Sequence, residues 1–185
     1  MARQLSRLQL IERSIVKKYR KELWNPFIAA VKRYELIQTG DRVAVCISGG
    51  KDSMLQAKLI QQLLRVSEVP FEAKYLVMDP GYHPVNRTKI QENAALLGIP
   101  IQIFDTDIFA VTESEPKNCC YLCARMRRGH LYSLAQSLGC NKIALGHHHD
   151  DAVETFLMSL LYEGRISCFE PVTYLSRTGV TQIRP

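Results

Sequence analysis

The order of apolar and polar residues predicts short buried strands that alternate with amphipathic helices. Short, largely apolar runs are typical of strands that are buried on both faces. Between them, apolar residues return every three or four positions, which is the pattern of a helix with one buried face. The predicted strands span residues 43–47, 73–78, 101–104 and 142–145, and the predicted helices span residues 52–65, 85–97, 122–138 and 151–162.

This alternation predicts an α/β fold in which an open parallel sheet has helices on both faces. Toward the C-terminus, residues 172–175 and 180–183 are extended segments joined by Arg177-Thr178-Gly179, a pattern that predicts a β-hairpin. The sequence stops at Pro185, directly after the second of these segments. We therefore expect it to be truncated at its C-terminal end.

A helical arm is predicted ahead of the sheet. Asn25-Pro26 is a helix start signal, with asparagine as the N-cap and proline at the first helical position. We divide the chain into this arm, residues 1–36, and one domain, residues 37–185. Before the start signal, apolar residues follow helical spacing at Leu8, Ile11, Ile15, Tyr19 and Leu23.

Composition limits the class of protein. A chain of 185 residues that is 46% hydrophobic and 23% charged is typical of a single globular domain. No apolar run approaches the roughly 18–20 residues of a membrane span. The basic N-terminus is not followed by the apolar segment of a signal peptide. We therefore expect a cytoplasmic protein without a membrane partner.

Positive charge is concentrated in the arm. Nine basic residues and two glutamates give residues 1–33 a formal charge of +7, against +6 for the whole chain. Such a patch is typical of a surface that binds RNA, and it is equally typical of a solvated helix face. The basic residues are Arg3, Arg7, Arg13, Lys17, Lys18, Arg20, Lys21, Lys32 and Arg33.

The junction between the first strand and its helix has the composition of a phosphate site. The sequence Ser48-Gly49-Gly50-Lys51-Asp52-Ser53 follows the apolar run VAVCI. Two glycines let a ligand approach the backbone, so that amide groups at the helix start can bind an anion. The lysine adds a full positive charge, and the two serines add hydroxyl donors. The loop differs from a Walker A loop because Asp52, rather than a hydroxyl residue, follows Lys51.

A second polar segment follows the fourth strand, Gly146-His147-His148-His149-Asp150-Asp151. Ligands of open α/β sheets bind beyond the carboxyl ends of the strands, where the strand order reverses. If the first and fourth strands are neighbours there, both loops line one crevice. Asp150 and Asp151 can then hold Mg²⁺ on a bound phosphate. Two other roles fit this segment, an N-cap pair at the helix start and a zinc site that uses the histidines.

The cysteines suggest metal or redox chemistry. Cys120-Tyr121-Leu122-Cys123 has the spacing that lets two sulfurs reach one metal, but the second pair of a zinc ribbon is absent from the sequence. Arg125, Arg127 and Arg128 follow on the same predicted helix, where they can neutralise an anionic cluster, contact RNA or remain solvated. Of the other cysteines, we expect Cys46 and Cys140 in the core and leave Cys119 and Cys168 unassigned.

Three segments together resemble a known family. They are GDRVAVCISGGKDS, CYLCARMRRGHLY and KIALGHHHDDAVETFLMSLLYEG. The first contains the signature of the PP-loop ATP pyrophosphatases, which have an adenine-nucleotide α-hydrolase-like fold. The combination resembles the tRNA 2-thiocytidine synthetase (TtcA) family over residues 27–185.

The resemblance implies an ATP-dependent enzyme that adenylates the C2 oxygen of an anticodon-loop cytidine and replaces that oxygen with sulfur. It implies that residues 48–53 bind the pyrophosphate of ATP and that Cys120 and Cys123 ligate a 4Fe-4S cluster. With both loops on one crevice, we expect Gly146 and His147 to contact the nucleotide, and Lys51 and Asp151 to be catalytic.

The resemblance also marks a departure. The third cluster cysteine of the family lies beyond an Ile-Arg-Pro segment, and this sequence ends at Ile183-Arg184-Pro185. Cys119 or Cys168 can take its place only from a different position. The implied partners are tRNA, held at its backbone by the basic arm, and a sulfur donor such as a cysteine desulfurase. The apolar stripe of the first helix can form a homodimer contact or an intramolecular one.

Other interpretations of the same residues stay open. A different PP-loop chemistry, uridine thiolation or amide ligation through an acyl-adenylate, keeps the nucleotide site and changes the acceptor. A thiocarboxylate protein or a persulfide can deliver the sulfur instead of a cluster. A non-catalytic RNA-binding or metal-sensing module keeps the arm and the cysteines without turning over ATP.

Overall fold

The computed structural model of the protein describes residues 4–113 and 119–185, and its framework is a six-stranded sheet. The strands are β1 (Arg42–Cys46), β2 (Glu72–Asp79), β3 (Ile101–Asp105), β4 (Lys142–Ala144), β5 (Val172–Leu175) and β6 (Val180–Ile183). Their order is β3-β2-β1-β4-β6-β5, and all neighbours are parallel except the antiparallel hairpin β5-β6. The predicted α/β fold, its parallel sheet and the C-terminal hairpin are confirmed.

Helices connect the strands. They are α1 (Arg7–Arg13), α2 (Asn25–Arg33), α3 (Lys51–Val66), α4 (Pro84–Leu97), α5 (Ile108–Glu113), α6 (Cys119–Ser137) and α7 (His149–Glu163). The short helix α5 was not predicted, and α6 begins at Cys119 rather than at Leu122. None of the helices in the described part of the chain is both long enough and apolar enough to cross a bilayer.

The central strand β1 is apolar because it is buried on both faces. Val43 and Val45 pack into a cluster that includes α3 and α4, whereas Ala44 and Cys46 pack into a second cluster that includes α6. Strand β1 lies between β2 and β4. The strand order therefore reverses between β1 and β4, as required for the two polar loops to share one crevice.

The arm is helical but differs from the prediction. Residues 14–18 and 20–24 wind as π-helical turns, so that the chain is already helical at Trp24, the N-cap of α2. The predicted N-cap role of Asn25 is therefore wrong. Its Oδ1 instead accepts a hydrogen bond from Arg20 Nε at 3.3 Å. Pro26 does lie in the first turn of α2.

The apolar stripe of the arm packs against the domain. Ile15 is buried in the same cluster as Phe27 and α3. Lys58 of α3, only 3% exposed, donates hydrogen bonds to Glu12 Oε1 and to the carbonyl oxygen of Leu97, both at 2.8 Å. The described contacts of the stripe are thus intramolecular. The predicted homodimer stays a prediction, and Arg3 lies outside the described residues.

Candidate functional site

The loop between β1 and α3 is held tightly against α4. Gly49 has a φ of +89°, and a Cβ atom there would lie 2.7 Å from Ile90 Cγ1. A side chain at this position would be strained and would displace the loop. The first glycine of the predicted phosphate site is therefore required by the backbone conformation as well as by access for a ligand.

Two serines close this loop on itself. Ser53 Oγ accepts a hydrogen bond from the amide of Ser48 at 3.2 Å and donates one to the carbonyl oxygen of Gly50 at 3.0 Å. Gly50 is the N-cap of α3 and supplies no side chain to cap the helix. The first-turn amide groups of α3 consequently have no side-chain cap partner and, with the positive end of the helix dipole, can bind an anion.

Lys51 stands at the open side of this phosphate cradle, which comprises residues 48–53. Its side chain is 84% exposed, and Nζ lies 2.8 Å from both carboxylate oxygens of Asp52. The hydrogen bond to Asp52 and the charge of that carboxylate raise the pKa of Lys51, and the charge of Asp151 adds to the effect. The same hydrogen bond lowers the pKa of Asp52. Both groups are ionised at neutral pH, and the exposed lysine is free to reach a bound phosphate.

The loop after β4 reaches the cradle because residue 146 is glycine. A Cβ atom on Gly146 would lie 3.0 Å from Ser53 Cα and 3.1 Å from Ser53 N. Contacts this short are tighter than most Cβ atoms make, so a side chain at residue 146 would require the backbone of Ser53 to shift by a few tenths of an ångström. The two polar loops that the sequence placed at one crevice are therefore brought together.

The start of α7 is capped by a histidine. His148 is the N-cap, and its Nδ1 accepts a hydrogen bond from the amide of Asp150 at 3.2 Å, while Asp151 Oδ2 accepts one from the amide of His148 at 2.8 Å. An N-cap role for Asp150 is therefore wrong. Its side chain is 81% exposed and lies beside His149. His148 Nε2 lies 4.0 Å from Asp52 Oδ2, which links the second loop to the cradle.

A cavity of about 190 Å³ lies between the two loops. Ser48, Ser53, Gly146 and His147 line it, together with Arg127 of α6. Partial desolvation of the ring lowers the pKa of His147, and the positive charge of Arg184 acts in the same direction. The imidazole of His147 is therefore neutral at pH 7 and can accept or donate a hydrogen bond to a ligand.

The cysteine cavity lies between α5 and α6, and its volume is about 360 Å³. Cys119, Cys120 and Cys123 line it together with Phe109 and Arg127. The Sγ atoms of Cys119 and Cys120 are 3.9 Å apart, and this contact raises the pKa of Cys120. Within residues 4–113 and 119–185, no three His, Cys, Asp or Glu side chains are grouped so that they can hold a metal ion. A zinc site at the histidines has no support there. Cys46 and Cys140 are buried, as predicted.

Arg127 joins the two cavities. It lines both, and its Nη2 donates a hydrogen bond to the hydroxyl of Tyr82 at 3.3 Å. Arg125 and Arg128 are exposed. The sequence grouped the three arginines without a distinct role for Arg127. Its position four residues after Cys123 was the available signal, since such residues share a helix face.

Comparisons with known proteins agree with this architecture. Residues 15–185 match the family model of the PP-loop domain. The tRNA-cytidine(32) 2-sulfurtransferase of Alkalilimnicola ehrlichii is 39% identical over 159 residues, which are 84% of this chain and 51% of that protein. The protein of the same name from Citrifermentans bemidjiense is 38% identical over 160 residues, 84% of this chain and 62% of that protein. The chain thus spans between about half and three-fifths of the length of these relatives.

A solved structure has the same fold. It is the U34-tRNA thiolase NcsA from Methanococcus maripaludis with its 4Fe-4S cluster, which is 22% identical with a TM-score of 0.61. The similarity covers 88% of this chain and 59% of the thiolase. The family match includes the phosphate cradle, the cysteine helix and the loop after β4. This chain belongs to the PP-loop domain family.

Proposed function

We propose that this chain carries the nucleotide site and part of the sulfur-transfer site of an ATP-dependent tRNA sulfurtransferase that makes 2-thiocytidine. The observation that carries the proposal is the position of Arg127, which lines both the cavity at the phosphate cradle and the cavity of the cysteines. Activation by ATP takes place at the C2 oxygen and sulfur replaces that oxygen at C2, so the two sites must be adjacent. The names of the two curated relatives support this choice of reaction.

The first step makes the C2 oxygen of cytidine a better leaving group. The oxygen attacks the α-phosphorus of ATP, an oxygen–phosphorus bond forms, and the bond to pyrophosphate breaks. Lys51 and the first-turn amides of α3 stabilise the negative charge of the departing pyrophosphate. Gly146 lets the loop after β4 approach the cradle closely, and we assign a contact with the nucleotide to His147 because it lines the same cavity as Ser48 and Ser53. We assign nucleotide binding to the remaining residues of the cradle as well, which are Ser48, Gly49, Gly50, Asp52 and Ser53.

We propose that Mg²⁺ binds together with ATP. Magnesium is held by one or two carboxylates and by the phosphates of the substrate rather than by a full protein cage. Asp151 fits this role because it lies at the edge of the cradle, where its charge acts on Lys51. Asp150 was proposed with it, and its exposed carboxylate has no described contact with the cradle. When bound, the ion neutralises charge on the phosphates.

We assign the transfer of sulfur to the cysteine cavity. Cys120 and Cys123 face one cavity and fit two ligands of an iron–sulfur cluster; Cys119 lines the same cavity, but the described side chains are not grouped so that three of them can hold one metal ion. Sulfide attacks C2, a carbon–sulfur bond forms, the carbon–oxygen bond breaks, and AMP leaves. A donor such as a cysteine desulfurase supplies this sulfur as a persulfide, which an external thiol first reduces to sulfide while the thiol is oxidised to a disulfide.

The basic arm is the proposed contact for the tRNA backbone. Its described cations, Arg7, Arg13, Lys17, Lys18, Arg20, Lys21, Lys32 and Arg33, are all exposed. Replacing Lys17, Lys18, Arg20 and Lys21 with glutamine should weaken tRNA binding. The slope of log K for tRNA binding against log salt concentration should become shallower by about 0.7–0.9 for each phosphate contact that is lost. A salt dependence equal to that of the parent protein would show that the arm is a solvated face.

The experiment that tests the function is mass spectrometry of nucleosides from total tRNA. A strain that lacks the protein should lose 2-thiocytidine, and wild type should restore it while Lys51→Ala should not. Loss of another thionucleoside, such as a 2-thiouridine, would keep the PP-loop chemistry and replace the acceptor. A nucleoside profile unchanged by the deletion would contradict the proposal.

A further inference from the structure

We propose that the cysteine cavity receives the target base and that Phe109 is the platform on which this unstacked pyrimidine lies. The inference rests on the proposed function and names a positioning residue for it. The cavity has an aromatic ring, a guanidinium group and thiols on its walls, contributed by Phe109, Arg127 and the three cysteines of α6.

The loop between β2 and α4 fixes the backbone behind this wall. Asp79, only 3% exposed, ends β2, and its Oδ1 accepts hydrogen bonds from the amides of Gly81 at 2.9 Å and Tyr82 at 2.6 Å. Gly81 has a φ of +107°, a conformation that glycine adopts without strain. The amide of Phe109 donates to the carbonyl oxygen of Pro80 at 2.9 Å. Phe109 is thereby tied to the loop through its backbone.

Side-chain contacts then orient the ring. Phe109 and Tyr82 meet edge to face, with ring centroids 6.0 Å apart and an interplanar angle of 76°. The hydroxyl of Tyr82 accepts a hydrogen bond from Arg127. Phe109, Tyr82 and Arg127 thus form one connected wall whose parts come from α5, the loop after β2 and α6. Such a preformed surface lowers the cost in conformational entropy of ordering these side chains when a ligand binds.

This wall suits an unpaired pyrimidine. Proteins read single-stranded RNA by splaying bases out and stacking them on aromatic rings or arginine planes. Arg127 can donate a hydrogen bond to a base carbonyl while the ring lies on Phe109. Because Arg127 also lines the cavity at the phosphate cradle, a base in this position has its carbonyl between the ATP site and the thiols.

The test uses the purified protein and an RNA anticodon stem-loop with fluorescent pyrrolocytosine at the target position. Stacking quenches this base, so wild type and Phe109→Tyr should quench it, whereas Phe109→Leu should not. Loss of one stacked base typically weakens binding by about 5- to 100-fold, and we expect KM for a cytidine stem-loop to rise by such a factor in Phe109→Leu. KM for ATP should stay unchanged. Tyr174→Leu, at an exposed aromatic residue of β5, is the matched control.

A stem-loop that lacks the base at the target position tests the same contact without a protein variant. Wild type should bind it more weakly by the same factor, and Phe109→Leu should bind the two RNAs alike. Equal binding of both RNAs by wild type, or full quenching by Phe109→Leu, would overturn the platform while thiolation by wild type leaves the proposed function standing. Absence of any thionucleoside after incubation of wild type with ATP and sulfide would reject both.

Discussion

The phosphate cradle and the cysteine cavity are built in different ways. The cradle is six consecutive residues at the carboxyl end of a buried strand, and its shape follows from two glycines, two serine hydroxyls and a helix start. The cavity is lined by residues of α5 and α6, and Tyr82 of the loop after β2 supports it through contacts with Phe109 and Arg127. A site built by consecutive residues can therefore be recognised from the local sequence, whereas a site built by side chains that are distant in sequence can be recognised only once the fold is known.

The largest expected effect breaks the cradle alone. Lys51→Ala should lower the rate of ATP-dependent pyrophosphate release by about 10²–10³-fold, the usual loss when one donor that stabilises developing charge is removed. The melting temperature should not change, because Lys51 is 84% exposed and packs against nothing but Asp52 among its described contacts. The control is Lys89→Ala, an exposed lysine in an ion pair with Glu92. Pyrophosphate release near the wild-type rate would contradict the role of Lys51.

The next effect breaks the cavity and leaves the cradle intact. Cys120→Ser and Cys123→Ser should each lower thiolation by about 10- to 100-fold or more, because a hydroxyl replaces a thiolate poorly as a metal ligand or nucleophile. A single-turnover burst of pyrophosphate should remain, since adenylation precedes sulfur attack in the proposed reaction. Cys168→Ser, at an exposed cysteine outside the cavity, is the control. Loss of the burst together with thiolation would show that the two regions do not act separately.

The difference between the regions also explains what could be predicted from the sequence. The apolar runs located β1 to β4 to within one residue or so at each end, and the glycine-rich junction identified the cradle, because both depend on neighbours along the chain. Tyr82 and Phe109 were missed, since nothing local distinguishes them from core aromatics. The predicted N-caps at Asn25 and Asp150 were wrong because α2 begins at Asn25 itself, directly after a π-helical turn, and α7 begins at His149.

A smaller effect is expected where the loop after β4 contacts the phosphate cradle. Gly146→Ala should destabilise the protein by about 1–3 kcal/mol and raise KM for ATP, because the added methyl group meets the backbone of Ser53 at 3.0–3.1 Å. Gly129→Ala is the matched control in α6, where an added Cβ has open space. It should be neutral or should stabilise by up to about 1 kcal/mol through helix propensity. Equal unfolding free energies for the two variants would contradict the close approach.

The smallest expected effect is a difference in acid stability between α3, which carries the cradle, and α6, which carries the cysteines. Burial alone would raise the pKa of Glu12, but its hydrogen bonds and charge interactions with Arg65 and Lys58 of α3 lower it below the ordinary value of 4.5. This carboxylate therefore stabilises the fold above pH 4.5, and the contribution is lost as pH falls through the lowered pKa. We expect Glu12→Gln to cost about 1 kcal/mol at pH 7 and to approach wild-type stability in acid, as measured by denaturant unfolding at several pH values.

Among the described residues, no ion pair involves α6. Hydrogen exchange in acid should consequently increase in α3, which carries the cradle, more than in α6; equal increases in both helices would show that the anchor of the arm does not act on the cradle.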